Sequence, residues 1–403
     1  MKQRFVIIGG GAAGFFAAIN AAELHPEMEV VILEGGNKLL QKVKVSGGGR
    51  CNVTHACFTP KELVEFYPRG KKELLGPFHT FMTGDTMGWF DDRGVALKIE
   101  DDNRIFPESD SSQTIIDCFL TAAREAGVQI KLSTRVTEIL PSENGFVVKT
   151  NNDEFSADYV LVATGSNSKV WNMLEELGHS IVPPVPSLFT FNIKDPRIDG
   201  IPGIAVPNGN VKVLGSKLEE SGPVLITHWG LSGPGILKLS AWGALELERK
   251  NYQFKIQLNW LGNSKEAMLE KLNGIKKRNV KKKAITRSPF NEIPKRLWEK
   301  LVIAAGIQQG ELWGHLNNKQ LERLASELTE GEYQVNGKST FKDEFVTAGG
   351  VALKEVNFKR FESKKHKNLF FAGEVLNIDA ITGGFNFQNA WTGGWIVAQS
   401  VEN

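Results

Sequence analysis

The chain has 403 residues and 41% hydrophobic content, more than a single core usually organises, so two or three domains are expected. Its 48 basic and 46 acidic residues leave a formal net charge of +2, which excludes a strong overall field toward nucleic acid or an anionic membrane. Three cysteines, Cys51, Cys57 and Cys118, are too few and odd in number for a disulfide framework, and they point to a reducing compartment, by default the cytoplasm.

The N-terminus enters an apolar strand pattern, FVIIGGG, with no features of a signal peptide, and no apolar run approaches the roughly 20 residues of a membrane helix. A soluble protein is expected. RFVII at 4–8 predicts a strand, AAGFFAAINAAEL a helix, and Val30-Val31-Ile32-Leu33 a second strand, together a βαβ unit. Between the first strand and the helix lies Gly9-Gly10-Gly11-Ala12-Ala13-Gly14, a G-x-G-x-x-G sequence. Its glycines allow a tight turn, close approach of backbone to a pyrophosphate, and packing of helix on sheet, while the helix N-terminus offers N–H groups to phosphate. Glu34, twenty residues after Gly14, is placed to accept a ribose hydroxyl, and an acid there disfavours a 2′-phosphate. A Gly-rich turn that merely joins two elements is the bland alternative, and strand, helix and acid together argue against it.

Next comes Ser46-Gly47-Gly48-Gly49-Arg50-Cys51-Asn52. Gly48 and Gly49 permit backbone contact with a cofactor, Arg50 is placed to neutralise phosphate or an anionic ring, and Lys42 and Lys44 add positive charge. Asn52 either hydrogen-bonds at the cofactor edge or caps the next segment. Cys51 and Cys57 superficially suggest a redox pair. In a helix, residues six apart rise about 9 Å, beyond the roughly 7 Å limit for a bridge. A loop could still close, but a reduced, packed Cys51 is expected.

Thr114 to Ala126 predicts a helix closed by Gly127, followed by strand-like VQIKLSTRVTEIL and FVVKT, then YVLVATG ending at Thr164-Gly165. No second G-x-G-x-x-G stands between a strand and a helix, so a separate NAD(P)H domain is not expected. Three prolines in Val182–Ser187 suit neither a helix nor a central strand and mark a domain crossing. TFNIKD, NVKVLG and PVLITHWG are β-like, and residues 264–330 are rich in helix formers and charge. Apolar and Gly-rich character returns after Phe345. The expected organisation is 1–188, an insert at 189–345 (β part about 189–260, helical part about 261–335), and 346–403.

The C-terminal region selects the cofactor. Leu369–Glu374 is an apolar strand ending in Gly373-Glu374, suited to holding a polyol such as ribitol. Thr382-Gly383-Gly384-Phe385-Asn386 then opens a helix whose N–H groups can face the carbonyl region where a reduced flavin gathers negative charge. This favours FAD over NAD.

SGGGRCNVTH, Arg104-Ile-Phe-Pro107, Thr227–Pro234 and AGEVLNIDAITGGFNFQNAWTGG together resemble the bacterial BaiN/RdsA-type, YhiN-like family of FAD-dependent oxidoreductases over nearly the whole chain. The resemblance implies an α/β architecture: a discontinuous Rossmann-like FAD-binding domain interrupted by an insert with a β-barrel part and a helical part. It implies reduction of carbon–carbon double bonds in polycyclic or steroid-like compounds for some members. It places Gly9, Gly11, Gly14, Glu34, Gly48, Arg50, Cys51, Asn52, Gly165, Gly373, Glu374, Gly384 and Asn386 around FAD, with the backbone of Val136 meeting adenine. Such a reaction needs a proton donor opposite the hydride. His228, ending a strand of the insert, is the leading candidate and Asp379 the second.

The expected activity is reduction of an unsaturated hydrophobic small molecule, with NAD(P)H as a transient electron donor and no metal. The run Lys276–Lys283 keeps an FAD-dependent tRNA-modifying enzyme as an alternative, but a solvated helical face explains the run at less cost. Nucleic acid is therefore not the expected partner. A flavin-binding redox sensor without turnover is a third reading.

Overall fold

The computed structural model describes residues 2–339 and 346–401. The chain divides into two compact units, Met1–Val185 with Phe341–Asn403, and Pro186–Thr340. The first crossing comes three residues before the expected 188/189 boundary, while the boundary expected at 345 lies outside the described residues.

In the first unit, Arg4–Ile8, Ala12–Leu24 and Glu29–Leu33 form the βαβ unit. The central strands are parallel: Leu369–Phe371, Tyr159–Val162, Arg4–Ile8, Glu29–Leu33 and Gln129–Lys131, in that order. Two short antiparallel strands, Val356–Asn357 and Glu362–Ser363, extend the Leu369–Phe371 edge. Val6, Val31, Val160 and Phe370 are buried, as a sheet covered on both faces requires. The final helix, Phe385–Ser400, lies against the first. A Cβ on Gly394 would come within 3.0 Å of Ala13 O, so Gly394 sets this close approach.

The expected helix at 114–126 runs from Ser112 to Glu125, capped by Ser111 Oγ accepting from Gln113 N–H at 3.3 Å. The strand-like stretch after it is broken in two. Ser133 has φ +53, and Val136–Ser142 joins Gly145–Thr150 and Glu154–Ala157 in a separate antiparallel sheet. The proline-rich Ile181–Pro186 is extended and, among the described residues, pairs with Thr347–Val351 in a two-stranded sheet, an edge position that tolerates missing donors.

The second unit contains a seven-stranded sheet ordered Gly331–Asn336, Gln253–Asn259, Ala205–Val213, Glu219–Ile226, Gly230–Ser232, Thr190–Asn192 and Lys338–Ser339. Its two edge strands are separated in sequence by Gly337 alone, so the sheet must roll until its edges meet. Gly337 (φ +115) donates to Tyr252 O at 2.8 Å and accepts from Asn192 N–H at 3.0 Å, binding both edges. The division into β and helical parts is not sequential: Pro234–Arg249 is a helix within the first, and Gly331–Asn336 is a strand of the sheet. Trp260, Leu272, Trp298 and Leu324 belong to one continuous apolar core joining sheet and helices. Among the described residues no helix is long and apolar enough to cross a membrane.

Candidate dinucleotide site

The turn after Arg4–Ile8 is built on steric necessity. Gly9 has φ +113, and a Cβ there would lie 2.6 Å from Ala163 O; a Cβ on Gly14 would lie 2.1 Å from Gly9 O. Only hydrogen fits at either position. Gly11 opens the helix without a side-chain cap, and nothing stands within 4 Å of the space its Cβ would take. The first-turn N–H groups at Ala12 and Ala13 have no intrahelical partners, which suits them to an anion.

Glu34 directly follows the adjacent strand, its Oε2 accepting from Gly10 N–H at 2.8 Å and its Oε1 from Gly36 N–H at 2.7 Å. Each carboxylate oxygen retains a lone pair for a hydroxyl. Thr134 N–H donates to Glu34 O at 2.9 Å, two residues before the buried Val136. The Thr164-Gly165 turn meets the Gly373-Glu374 turn: Gly165 (φ +62) would place a Cβ 3.6 Å from Glu374 Oε2. Gly373 is also left-handed, with φ +75. Glu374 accepts from Thr347 N–H at 2.9 Å and pairs with Lys42. Thr164 Oγ1 and Thr347 Oγ1 are buried without partners.

Gln41–Gly49 is helical in its first part only. Ser46 is extended (φ −63, ψ 149), and Gly47, Gly48 and Gly49 follow with φ of +58, +69 and +86. Space beside Gly48 and Gly49 is open within 4 Å. The chain then runs inward. Cys51 is fully buried with φ +61, and burial, opposed by a contact with Ser46, pushes its thiol up to about 12. Burial also raises Cys57, and brings Cys118 to about 11 despite Arg93; all three thiols are free.

The next residues clasp the last helix. With its amide turned so that nitrogen faces Thr54 O and oxygen faces Gly384 N–H, at 3.0 Å each, Asn52 tethers the helix N-terminus. Gly384 has φ +92, and a Cβ would strike Thr54 backbone at 2.6 Å. Buried Gln388 accepts from Thr54 Oγ1 at 2.6 Å and Thr86 Oγ1 at 3.0 Å, and Trp391 Nε1 donates to Val53 O at 2.9 Å. Sequence reading missed Thr54, Thr86 and Gln388. A glutamine among apolar neighbours in FNFQNAW was the available signal. Gly383 (φ +138) precedes the cap, and the Phe385 ring stacks on His55 and Phe66 at 4.6 and 4.3 Å.

Three of the expected site residues have partners within the protein. Arg50 Nη1 donates to Glu100 Oε1 at 2.6 Å and Asp110 Oδ1 at 3.3 Å, and the guanidinium lies over Phe106. Its charge is already met by two carboxylates. Asn386 spends its amide on its own loop, accepting from Ala380 N–H at 3.0 Å and donating to Ala380 O at 3.2 Å. Asp379 is fully buried and accepts from both Nε and Nη2 of Arg69, the role of a carboxylate anion rather than of a proton donor. His228 stands in the second unit, exposed beside an exposed Trp229, in a turn closed by Thr227 N–H donating to Gly230 O at 2.8 Å.

Ser363, His179 and Glu355 form a hydroxyl–imidazole–carboxylate series, at 3.0 and 3.2 Å. It is a structural knot. Ser363 Oγ also accepts from Lys365 and His366 N–H, and all three side chains are buried. Burial pushes Glu355 up, but hydrogen bonds from Ser180, Lys365 and His179 outweigh it and hold the carboxyl at about 2.

The open space beside Gly11, Gly48 and Gly49, the uncapped N-termini at Gly11 and Gly384, and the buried, partnerless Thr164 and Thr347 hydroxyls fit an FAD molecule. The family described as "HI0933-like protein Rossmann domain" matches residues 3–400. The chain is 29% identical to the "Ribosomal RNA dihydrouridine synthase" of Escherichia coli (strain K12), covering 99% of this chain and 98% of that protein. It is 26% identical to the "3-dehydro-bile acid delta(4,6)-reductase" of Clostridium scindens, covering 99% and 98%. The 3-ketosteroid-delta4-(5alpha)-dehydrogenase from Rhodococcus jostii RHA1 shares the fold, with a TM-score of 0.53 at 12% identity over 98% of this chain and 97% of that one.

Proposed function

Since the chain belongs to the HI0933-like family, the BaiN/RdsA type of FAD-dependent oxidoreductase, we propose that it reduces a carbon–carbon double bond conjugated to a carbonyl, with a uracil base of RNA as substrate. The observation that carries this reading is end-to-end similarity to two relatives whose names describe one kind of bond. Dihydrouridine is uridine with its ring double bond, conjugated to a carbonyl, saturated; a 3-keto steroid with Δ4,6 unsaturation presents the same conjugation. The RNA relative has the higher identity.

Bound FAD supplies the hydride chemistry. The chain's part is to hold it: Gly11 and Gly384 present helix N-termini to negative charge, and Glu34 takes a ribose hydroxyl. For the proton, we keep His228, whose imidazole has no hydrogen-bond partner among the described residues, whereas Asp379 is taken up by Arg69. NAD(P)H is the electron donor we propose, met transiently. A small hydrophobic enone is the second reading, favoured by the bile-acid relative.

The test is anaerobic reduction of the purified flavoprotein by NADH or NADPH, then incubation with unmodified ribosomal RNA and mass analysis of its nucleosides. A gain of two hydrogens on uridine is expected. Reduction of a steroid 4,6-dien-3-one with untouched RNA would replace the first reading by the second. Failure to bind flavin would remove both.

A further inference from the structure

The helical part of the insert carries a charge distribution that the reductase chemistry does not use. Residues 276–300 hold ten Lys or Arg against two Glu, in a chain whose formal net charge is only +2. Lys277, Arg278, Lys281, Lys282, Lys283 and Arg287 are exposed. Nearby, Lys265 pairs with Glu330 and Lys295 with Glu299, whereas among the described residues no ion pair takes in any of those six. A helix C-terminus accounts for cations in its last turn, here Lys276–Arg278 of the helix Lys265–Arg278. It does not account for Lys281–Lys283 or Arg287, which lie beyond the helix and repel one another.

The segment is also held in place. Gly314 N–H donates to Val280 O at 3.0 Å, Trp313 N–H to Lys282 O at 2.9 Å, and Ala284 N–H to Glu311 O at 2.9 Å. Buried Trp298 donates from Nε1 to Ala284 O at 2.9 Å, and a Cβ on Gly314 would strike Val280 at 2.6 Å. The backbone bearing the lysines is thus ordered before any partner arrives, which removes one cost of binding.

We infer that this segment, Lys277 to Arg287, is a preformed docking surface for the phosphate backbone of RNA. The inference rests on the RNA reading above and supplies what that reading lacks, a place to grip the polymer away from the reacting base. Unpaired cations distributed along a rigid segment suit a polyanion that carries a charge at every nucleotide. A lipid surface fits less well, because Val280 is the one exposed large aliphatic side chain in the segment and membrane docking needs an apolar face.

The experiment measures binding of the FAD-loaded full chain to a fluorescent, unmodified ribosomal RNA transcript between 50 and 200 mM salt, on the order of the range where phosphate contacts lose affinity steeply. Three proteins are compared: wild type, K281Q/K282Q/K283Q and K281R/K282R/K283R. For the glutamine variant, a slope of log affinity against log salt shallower by about 2 to 3 is expected. The arginine variant should bind as wild type, and all three should share one flavin spectrum and one rate of flavin reduction by NAD(P)H. Equal RNA binding by the glutamine variant and wild type at every salt concentration would overturn the surface. Preferential binding of phosphatidylglycerol vesicles would overturn it in favour of a membrane. Binding is read without turnover, so wild type that grips RNA through these lysines but leaves uridine unreduced sinks the reductase reading alone. Wild type that reduces RNA as well as the glutamine variant does sinks this surface alone.

Discussion

Two glycine-rich segments belong to the candidate dinucleotide site, and they need glycine for different reasons. In Gly9–Gly14 the constraint is space: a Cβ on Gly14 would meet Gly9 O at 2.1 Å, and one on Gly9 would meet Ala163 O at 2.6 Å. In Gly47–Gly49 the constraint is mainly conformation. Gly48 and Gly49 have open space beside them, yet φ of +69 and +86. The first segment is locked by the strand and helix that flank it. The second is a left-handed stretch whose far end is fastened through Asn52 and Thr54 to the final helix. The same residue type thus marks a packed turn in one place and an open cradle in the other.

Substitution separates the two cases. Gly14→Ala should be the most damaging change, because backbone must move to admit the methyl; we expect a loss of about 3 kcal/mol in unfolding free energy and purification without flavin. Retention of full FAD content would break the steric half of the comparison. Glu34→Gln comes next. Both carboxylate oxygens accept N–H groups, so the amide nitrogen must face Gly10 or Gly36 as donor against donor. About 2 kcal/mol of site stability should go, seen as faster flavin release on dialysis.

Gly48→Ala should cost about 1 kcal/mol through its left-handed φ, and Gly48→Asn less, since asparagine tolerates that region. Melting temperatures of the two variants check the order, and an equal drop would show that space rather than φ is limiting there. The smallest effect is expected at Cys51. With its thiol pushed up to about 12 by burial, it stays protonated at pH 8, so iodoacetamide should leave it unmodified in the folded protein. Rapid alkylation would mean that the loop opens and that its contact with the last helix is loose.

Much of the backbone geometry of this candidate site was legible in the sequence because it is local. A strand, a turn that admits only glycine, a helix N-terminus and an acid at the next strand end all lie within residues 4–34, and short-range sterics specify them. Glycine followed by an acid at 373–374, and paired glycines at 383–384, were readable on the same basis. Legibility stopped where a side chain chooses among distant partners. Arg50 looked available from its neighbours in sequence, but packing places Glu100 and Asp110 against it. Asp379 looked like an acid near the cofactor, but Arg69, 310 positions away, holds it as an anion. The basic run 276–283 looked like a solvated helix face, whereas half of its charge, Lys281–Lys283, lies past the helix end on a segment pinned to Gly314 and Trp313.

The sequence by itself thus determined the strand–turn–helix of the candidate dinucleotide site, since φ and Cβ clearance are properties of the residues in that turn. Only the tertiary structure decided which charges remain available for chemistry, because a charge is neutralised by whatever the fold brings within a few ångströms, irrespective of distance along the chain.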